Sequence, residues 1–82
     1  MTDPNIVKPR KFSVNKVIYD VNGFSIAFGE WDGHRTCLGM RWNGDADSVG
    51  FPSVFGNPQW FMVPQELTIP ILNVIGIKIS EL

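Results

Sequence analysis

Two residue types that often carry chemistry or crosslinks are scarce in this 82-residue chain, which has a single cysteine, Cys37, and a single histidine, His34. One cysteine cannot form an intramolecular disulfide, and a zinc site would need further ligands at suitable spacing that the sequence does not place nearby. We therefore expect no metal and no cofactor. A lone cysteine is also typical of a reducing compartment, which favours the cytoplasm, and we expect Cys37 to be a buried structural thiol.

The chain also lacks an excess of charge and a long apolar run. Seven basic and eight acidic residues give a net charge of −1, whereas nucleic-acid-binding proteins usually carry a clear basic excess. The apolar stretches are interrupted by Pro70, Asn73 and Gly76, and none approaches the roughly 18 residues that a transmembrane helix needs. The sequence therefore predicts no membrane partner, and the low net charge leaves little electrostatic barrier to self-association.

The length predicts a single small domain, because the chain lies below the usual domain size of about 100–150 residues. Residues 1–10 contain Pro4 and Pro9 and read as a flexible N-terminal tail. Residues 11–82 then form the globular domain.

The segment from Phe12 to Trp42 predicts an antiparallel meander. Three runs rich in β-branched and aromatic residues are separated by Asn22-Gly23 and Asp32-Gly33, the dipeptides that favour tight hairpin turns. The predicted strands are Phe12–Val21, Phe24–Trp31 and His34–Trp42.

Two-residue turns would fix the register of this meander. The expected opposite pairs are Val21–Phe24, Tyr19–Ile26, Val17–Phe28, Phe28–Cys37, Ile26–Gly39 and the charge pair Glu30–Arg35. One face would then carry Val17, Tyr19, Val21, Phe24, Ile26, Phe28 and Cys37, and the other Val14, Ile18, Ala27, Trp31, Thr36, Leu38 and Met40. Because both faces are rich in apolar residues, each needs a covering element.

The second half of the chain predicts a long loop, a short strand and a helix. Residues 43–57 contain four glycines or prolines, and a loop of this length is a candidate functional segment or packed core. Residues 59–63 predict a fourth strand ending before Pro64. Thr68 could cap a helix over residues 69–75 that ends at Gly76, although the β-branched content of residues 67–79 also permits an extended segment. The predicted fold class is thus α+β, mainly β.

Two polar motifs resemble active or metal sites without completing them. In residues 43–48, oxygen-bearing side chains stand at alternate positions, as in the first half of a calcium loop. Such a loop would also need a glycine and a glutamate at the positions that Ser48 and Val54 occupy, so an Asx-type turn is favoured. Glu30 and Asp32 flank Trp31 as a pair of carboxylates. However, Asp32 is needed for the predicted turn, and Glu30 pairs with Arg35 in the predicted register. The chain is also small for an enclosing cleft. We therefore expect a protein that is not an enzyme.

Aromatic and basic residues supply the candidate binding site: Trp31, Arg35, Arg41, Trp42, Phe51, Phe55 and Trp60. Rings flanked by arginine can stack the bases of single-stranded nucleic acid or the rings of a small ligand, although the same rings could instead form the core. The leading functional hypothesis is a non-enzymatic interaction module that forms a homodimer, or binds another protein, through an apolar sheet face.

Overall fold

A four-stranded antiparallel sheet with one short helix forms the framework of the protein. The computed structural model describes residues 12–32, 35–78, 80 and 82; the predicted tail and His34 lie outside them. The elements are β1 (Phe12–Val21), β2 (Phe24–Trp31), β3 (Arg35–Trp42), β4 (Ser53–Val54), β5 (Asn57–Pro58), β6 (Phe61–Met62), a 3₁₀ turn (Gln65–Leu67) and α1 (Thr68–Ile75). The sheet order is β1-β2-β3-β6, and β4 and β5 form a separate hairpin. The predicted α+β, mainly β fold is confirmed.

The first hairpin has the predicted turn. Asn22 has a φ of 54° and Gly23 a φ of 79°, the left-handed pair that an Asn-Gly turn provides. Val21 lies opposite Phe24 and Tyr19 opposite Ile26, as expected. The prediction for Val17 is wrong, because the register shifts between Val17 and Tyr19 and places Val17 opposite Ala27.

The register of the second hairpin is displaced by one residue from the prediction. Trp31 pairs with Arg35, so three residues separate the strands instead of two. Glu30 consequently lies opposite Thr36, not Arg35, and Gly29, not Phe28, lies opposite Cys37. A shift of one residue transfers side chains to the other face of a sheet, so Cys37 lies on the face opposite Ile26 and Phe28.

The helix covers one face of the sheet. Leu72 of α1 and Val63 pack with Ile26 and Leu38, and all four side chains are buried. Smaller contributions to this cluster come from Ile18, Tyr19, Phe24, Phe28, Met40, Ile71, Ile75, Ile77 and Leu82. Because α1 has only eight residues, it covers only part of the face.

The ends of the helix agree with the sequence analysis in part. Gly76 adopts the left-handed conformation that ends many helices, with a φ of 80°. Thr68 is the first helical residue and not the cap, because Leu67 occupies the cap position without a side-chain hydrogen bond. The fourth strand, β6, is limited to Phe61 and Met62, which pair with Met40 and Gly39.

Aromatic rings cover the other face of the sheet. Phe12 and Trp60 are buried there with Ala27 and Cys37, and their rings meet edge to face with centroids 6.0 Å apart. The Phe12 ring lies close above Gly29, where a Cβ atom would be 3.0 Å from its Cε1 and Cζ atoms. A glycine is therefore required for this close approach.

Substituting alanine for Gly29 is expected to lower the free energy of unfolding by about 2 kcal/mol, because the new methyl group overpacks this layer. It would overlap the Ser13 carbonyl oxygen, a backbone atom, as well as the Phe12 ring. The same change at Gly39 should cost less, since its Cβ would meet only side-chain atoms, including the flexible end of Met62. Urea unfolding of both variants measures the two losses of unfolding free energy. Equal losses at Gly29 and Gly39 would contradict this prediction.

Candidate functional site

Four aromatic side chains gather at one end of the face that α1 partly covers. Phe24 begins β2 and lies opposite Trp42 at the end of β3. Phe61 of β6 lies opposite Met40, and the backbone of Phe51 pairs with that of Trp42 through two hydrogen bonds of 2.7 and 3.0 Å. We call the surface formed by Phe24, Trp42, Phe51 and Phe61 the aromatic surface.

The aromatic surface is open to solvent. Trp42 is 55% exposed, Phe51 67% and Phe61 57%. The Phe24 and Trp42 rings are in contact, with centroids 4.7 Å apart and planes inclined at 60°. These rings surround a depression of about 250 Å³ together with Met40, Arg41 and Pro52. A cluster of half-exposed rings in a folded domain is typical of a surface that another molecule covers.

A larger apolar groove adjoins the aromatic surface, between the sheet and α1. Its volume is about 640 Å³, and its lining residues are Tyr19, Phe24, Ile26, Met40, Pro70, Ile71, Val74 and Ile75. None of them is an acidic or a basic residue. Phe24 and Met40 line both the groove and the aromatic depression, so the two form one continuous apolar region.

Arg41 positions the loop that carries Phe51. Its side chain is 1% exposed, and its two terminal nitrogens donate hydrogen bonds to the Gln59 carbonyl oxygen, at 2.6 Å, and to the Val49 carbonyl oxygen. Burial lowers the pKa of the guanidinium by desolvation. Because the two carbonyls lie at opposite ends of residues 49–59, one side chain ties both ends of that segment to β3.

A polar cluster fixes the start of the same loop. The buried Asn43 side-chain amide donates to Ser25 Oγ at 2.8 Å and to Asp20 Oδ1 at 3.3 Å. Its backbone N–H donates to the Gly23 carbonyl oxygen at 2.7 Å. Beyond it, the Asp47 N–H donates to Asp45 Oδ1 at 2.9 Å, so the predicted Asx-type turn is confirmed.

The predicted site residues separate into exposed, buried and undescribed groups. Trp42 and Phe51 belong to the aromatic surface, and Phe55 lies fully exposed at the tip of the β4–β5 hairpin. Trp60 packs in the core against Phe12, and Arg41 is buried beneath the loop. Trp31 lies by the opposite face, lining a pocket with Cys37 and Met62, and the side chain of Arg35 lies outside the description.

Phe24, Phe61 and the groove were not among the predicted site residues. The sequence signal for Phe24 was its position beside the Asn-Gly turn, where a strand ends and less of the sheet can cover a ring. Phe61 follows the buried Trp60 in a predicted strand, so alternation alone places it on the opposite side.

The described residues contain no cluster of metal-ligating side chains. Within residues 12–32 and 35–78, no three His, Cys, Asp or Glu side chains gather where they could hold a metal ion. In that part of the chain no helix combines the length and apolar character needed to cross a bilayer. Comparison with family models, curated proteins and solved structures gives no match, so the function rests on the geometry of this site.

Proposed function

We propose that this domain is a non-enzymatic interaction module that forms a homodimer through the aromatic surface and the adjoining groove. The observation that carries the proposal is the exposure of three large aromatic side chains, Trp42, Phe51 and Phe61, each by more than half, around one apolar depression. A second copy of the same surface is the simplest partner, because two-fold interfaces are self-complementary.

The apolar area supports association. A buried aromatic side chain removes about 150–250 Å² from water, so the half-exposed rings of Trp42, Phe51 and Phe61 leave about 300–400 Å² to be covered. Val74, which is 86% exposed at the groove, and Val21 extend this region. A specific dimer buries about 800 Å² per partner, which the aromatic surface and groove together can approach.

The structure favours a face over a strand edge as the interface. The outer edge of β1 has no partner strand among the described residues, and such an edge can pair with another chain. However, the register of β1 shifts twice, between Val14 and Lys16 and between Val17 and Tyr19. Irregularities and a lysine are common protections of an edge against pairing.

Replacing Trp42 with serine is expected to weaken the dimer at least about tenfold, because central aromatic residues supply much of the binding energy at interfaces. The matched control is Trp31→Ser, which removes an indole at a pocket by the opposite face and should leave the dissociation constant unchanged. Sedimentation equilibrium over a concentration series measures both. A wild-type protein that stays monomeric at about 100 μM, far above the micromolar range of moderate affinities, would refute the proposal.

The groove supports a second candidate, binding of a small ring-bearing ligand. Its volume of about 640 Å³ and its apolar lining fit the usual range for small-molecule sites of about 300–1,000 Å³. The nucleic-acid form of this candidate has less support, because the Arg41 guanidinium already donates to two carbonyls. The sedimentation series separates the candidates, since a ligand-binding monomer shows no concentration dependence.

A further inference from the structure

The β4–β5 hairpin has an unusual residue at its turn. Three non-glycine residues adopt a positive φ, namely Asn22 at 54°, Asp32 at 57° and Phe55 at 50°, among the residues that the structure describes. Each is followed by glycine in the sequence. Asn and Asp tolerate this conformation because their short polar side chains can hydrogen-bond locally, whereas a phenylalanine has no such compensation.

Phe55 also gains no packing within its own copy. Its side chain is 99% exposed, so the ring contributes nothing to the core. The residue also has a backbone conformation that is unfavourable for phenylalanine. Residues that combine local strain with exposed apolar area are found where another molecule binds. Phe55, at the tip of this hairpin, therefore has the properties of a residue that inserts into a partner molecule.

The hairpin is held firmly enough to present its tip. The Gln59 N–H donates to the Pro52 carbonyl oxygen at 2.9 Å, and Arg41 binds the carbonyls of Val49 and Gln59. A side chain presented on a preorganised element loses less freedom on binding.

The charge of the segment selects the kind of partner. Residues 43–59 contain two acidic residues, Asp45 and Asp47, and no lysine or arginine. Insertion into membranes and contact with nucleic acid are both strengthened by basic residues near the inserting group. An apolar pocket on a protein fits this tip better.

We infer that Phe55 of one copy inserts into the groove between the sheet and α1 of a second copy, and that the exchange is reciprocal. The inference rests on the homodimer proposed above and names the contact that completes it. The groove is uncharged, adjoins the aromatic surface and is open to solvent beside Val74. Burying the fully exposed Phe55 ring adds about 200 Å² per copy and brings the covered area closer to that of a standard interface.

Replacing Phe55 with asparagine tests this contact. The variant creates a second Asn-Gly turn beside Asn22-Gly23, so the isolated copy should unfold at a higher urea concentration than the wild type. The dimer, in contrast, should dissociate at least about tenfold more readily. Val74→Asp, a change at an exposed helix position lining the groove, should weaken the dimer similarly. The double variant should weaken it by less than the product of the two effects, because both changes remove one contact.

The outcomes separate the inference from the proposed function. If Phe55→Asn leaves the dissociation constant unchanged while Trp42→Ser raises it, the dimer stands and the insertion is refuted. Multiplicative effects of Phe55→Asn and Val74→Asp would likewise show that the two residues are not in contact. A parallel measurement uses vesicles of phosphatidylcholine alone. Binding of the wild type that Phe55→Asn abolishes, with an unchanged dimer, would assign the tip to a lipid surface and overturn the inference.

Discussion

Replacing Arg41 with lysine is expected to lower the free energy of unfolding by about 2–3 kcal/mol, although the charge is retained. A guanidinium presents several donors in a fixed plane, whereas an ammonium is a point donor on a flexible stem. In the native protein the two terminal nitrogens reach the carbonyls of Val49 and Gln59. A lysine has one nitrogen in place of these two, so we expect at least one carbonyl to lose its donor, and each buried acceptor left without a donor costs about 1–3 kcal/mol.

The loss of stability should appear first in the segment of residues 49–59 that Arg41 holds, before the whole domain unfolds. The Phe51 and Gln59 amides donate to the Trp42 and Pro52 carbonyls within the segment that Arg41 holds, so their hydrogen exchange should accelerate more than that of Leu38 in the core. The matched control, Lys16→Arg, exchanges the same two cations at an exposed position and should change stability by less than about 0.5 kcal/mol. Equal effects at the two positions would show that the Arg41 contacts contribute no stability.

The first turn, the long strands and the end of the helix were predictable because they depend on local chemistry. Asn22-Gly23 favours a two-residue turn by backbone conformation alone, and the strands beside it carry the expected β-branched and aromatic residues. Gly76 ends α1 for the same kind of reason, since glycine adopts the left-handed conformation without steric cost. These features need no knowledge of the rest of the fold.

The register was only partly predictable, because it depends on packing between strands. The shift near Ile18 places Val17 opposite Ala27 and directs Val17 to the cluster of Phe12 and Trp60. Nothing in the local sequence marks this irregularity. Likewise Asp32-Gly33 predicts a tight turn, but three residues connect the strands, and this single extra residue exchanges the faces of Cys37 and Leu38.

From the sequence, candidate site residues could be chosen by residue type but not by their exposure to solvent. Sequence composition identifies Trp42 and Trp60 as equivalent candidates, yet the first is 55% exposed and the second 5%. Trp60 packs in a core cluster with residues distant in sequence, Phe12 among them, and residue type alone does not reveal this packing. The role of Arg41 was also hidden, because its hydrogen bonds go to backbone carbonyls, which every residue carries.

Truncating Leu72 to alanine is expected to cost about 3 kcal/mol, because removal of a fully buried leucine loses its transfer free energy and leaves a cavity. Leu72 is the buried apolar residue of α1, and it packs with Ile26, Leu38 and Val63. For a small domain with about 5–15 kcal/mol of total stability, this change removes a large share.

The expected consequence extends from the core to the proposed interface. When α1 detaches, the groove loses one wall, since Pro70, Ile71, Val74 and Ile75 belong to the helix. The dimer should therefore weaken together with the fold.

Val74→Ala is the control on the same helix: its side chain is exposed, so the free energy of unfolding of the separate copy should change by less than about 0.5 kcal/mol. Urea unfolding at low protein concentration, where association is negligible, measures the fold alone, and sedimentation measures the dimer. Because a rigid helix wall is required for the groove but not for the aromatic surface, a Leu72→Ala protein that keeps full dimer affinity would place the interface on the aromatic surface alone.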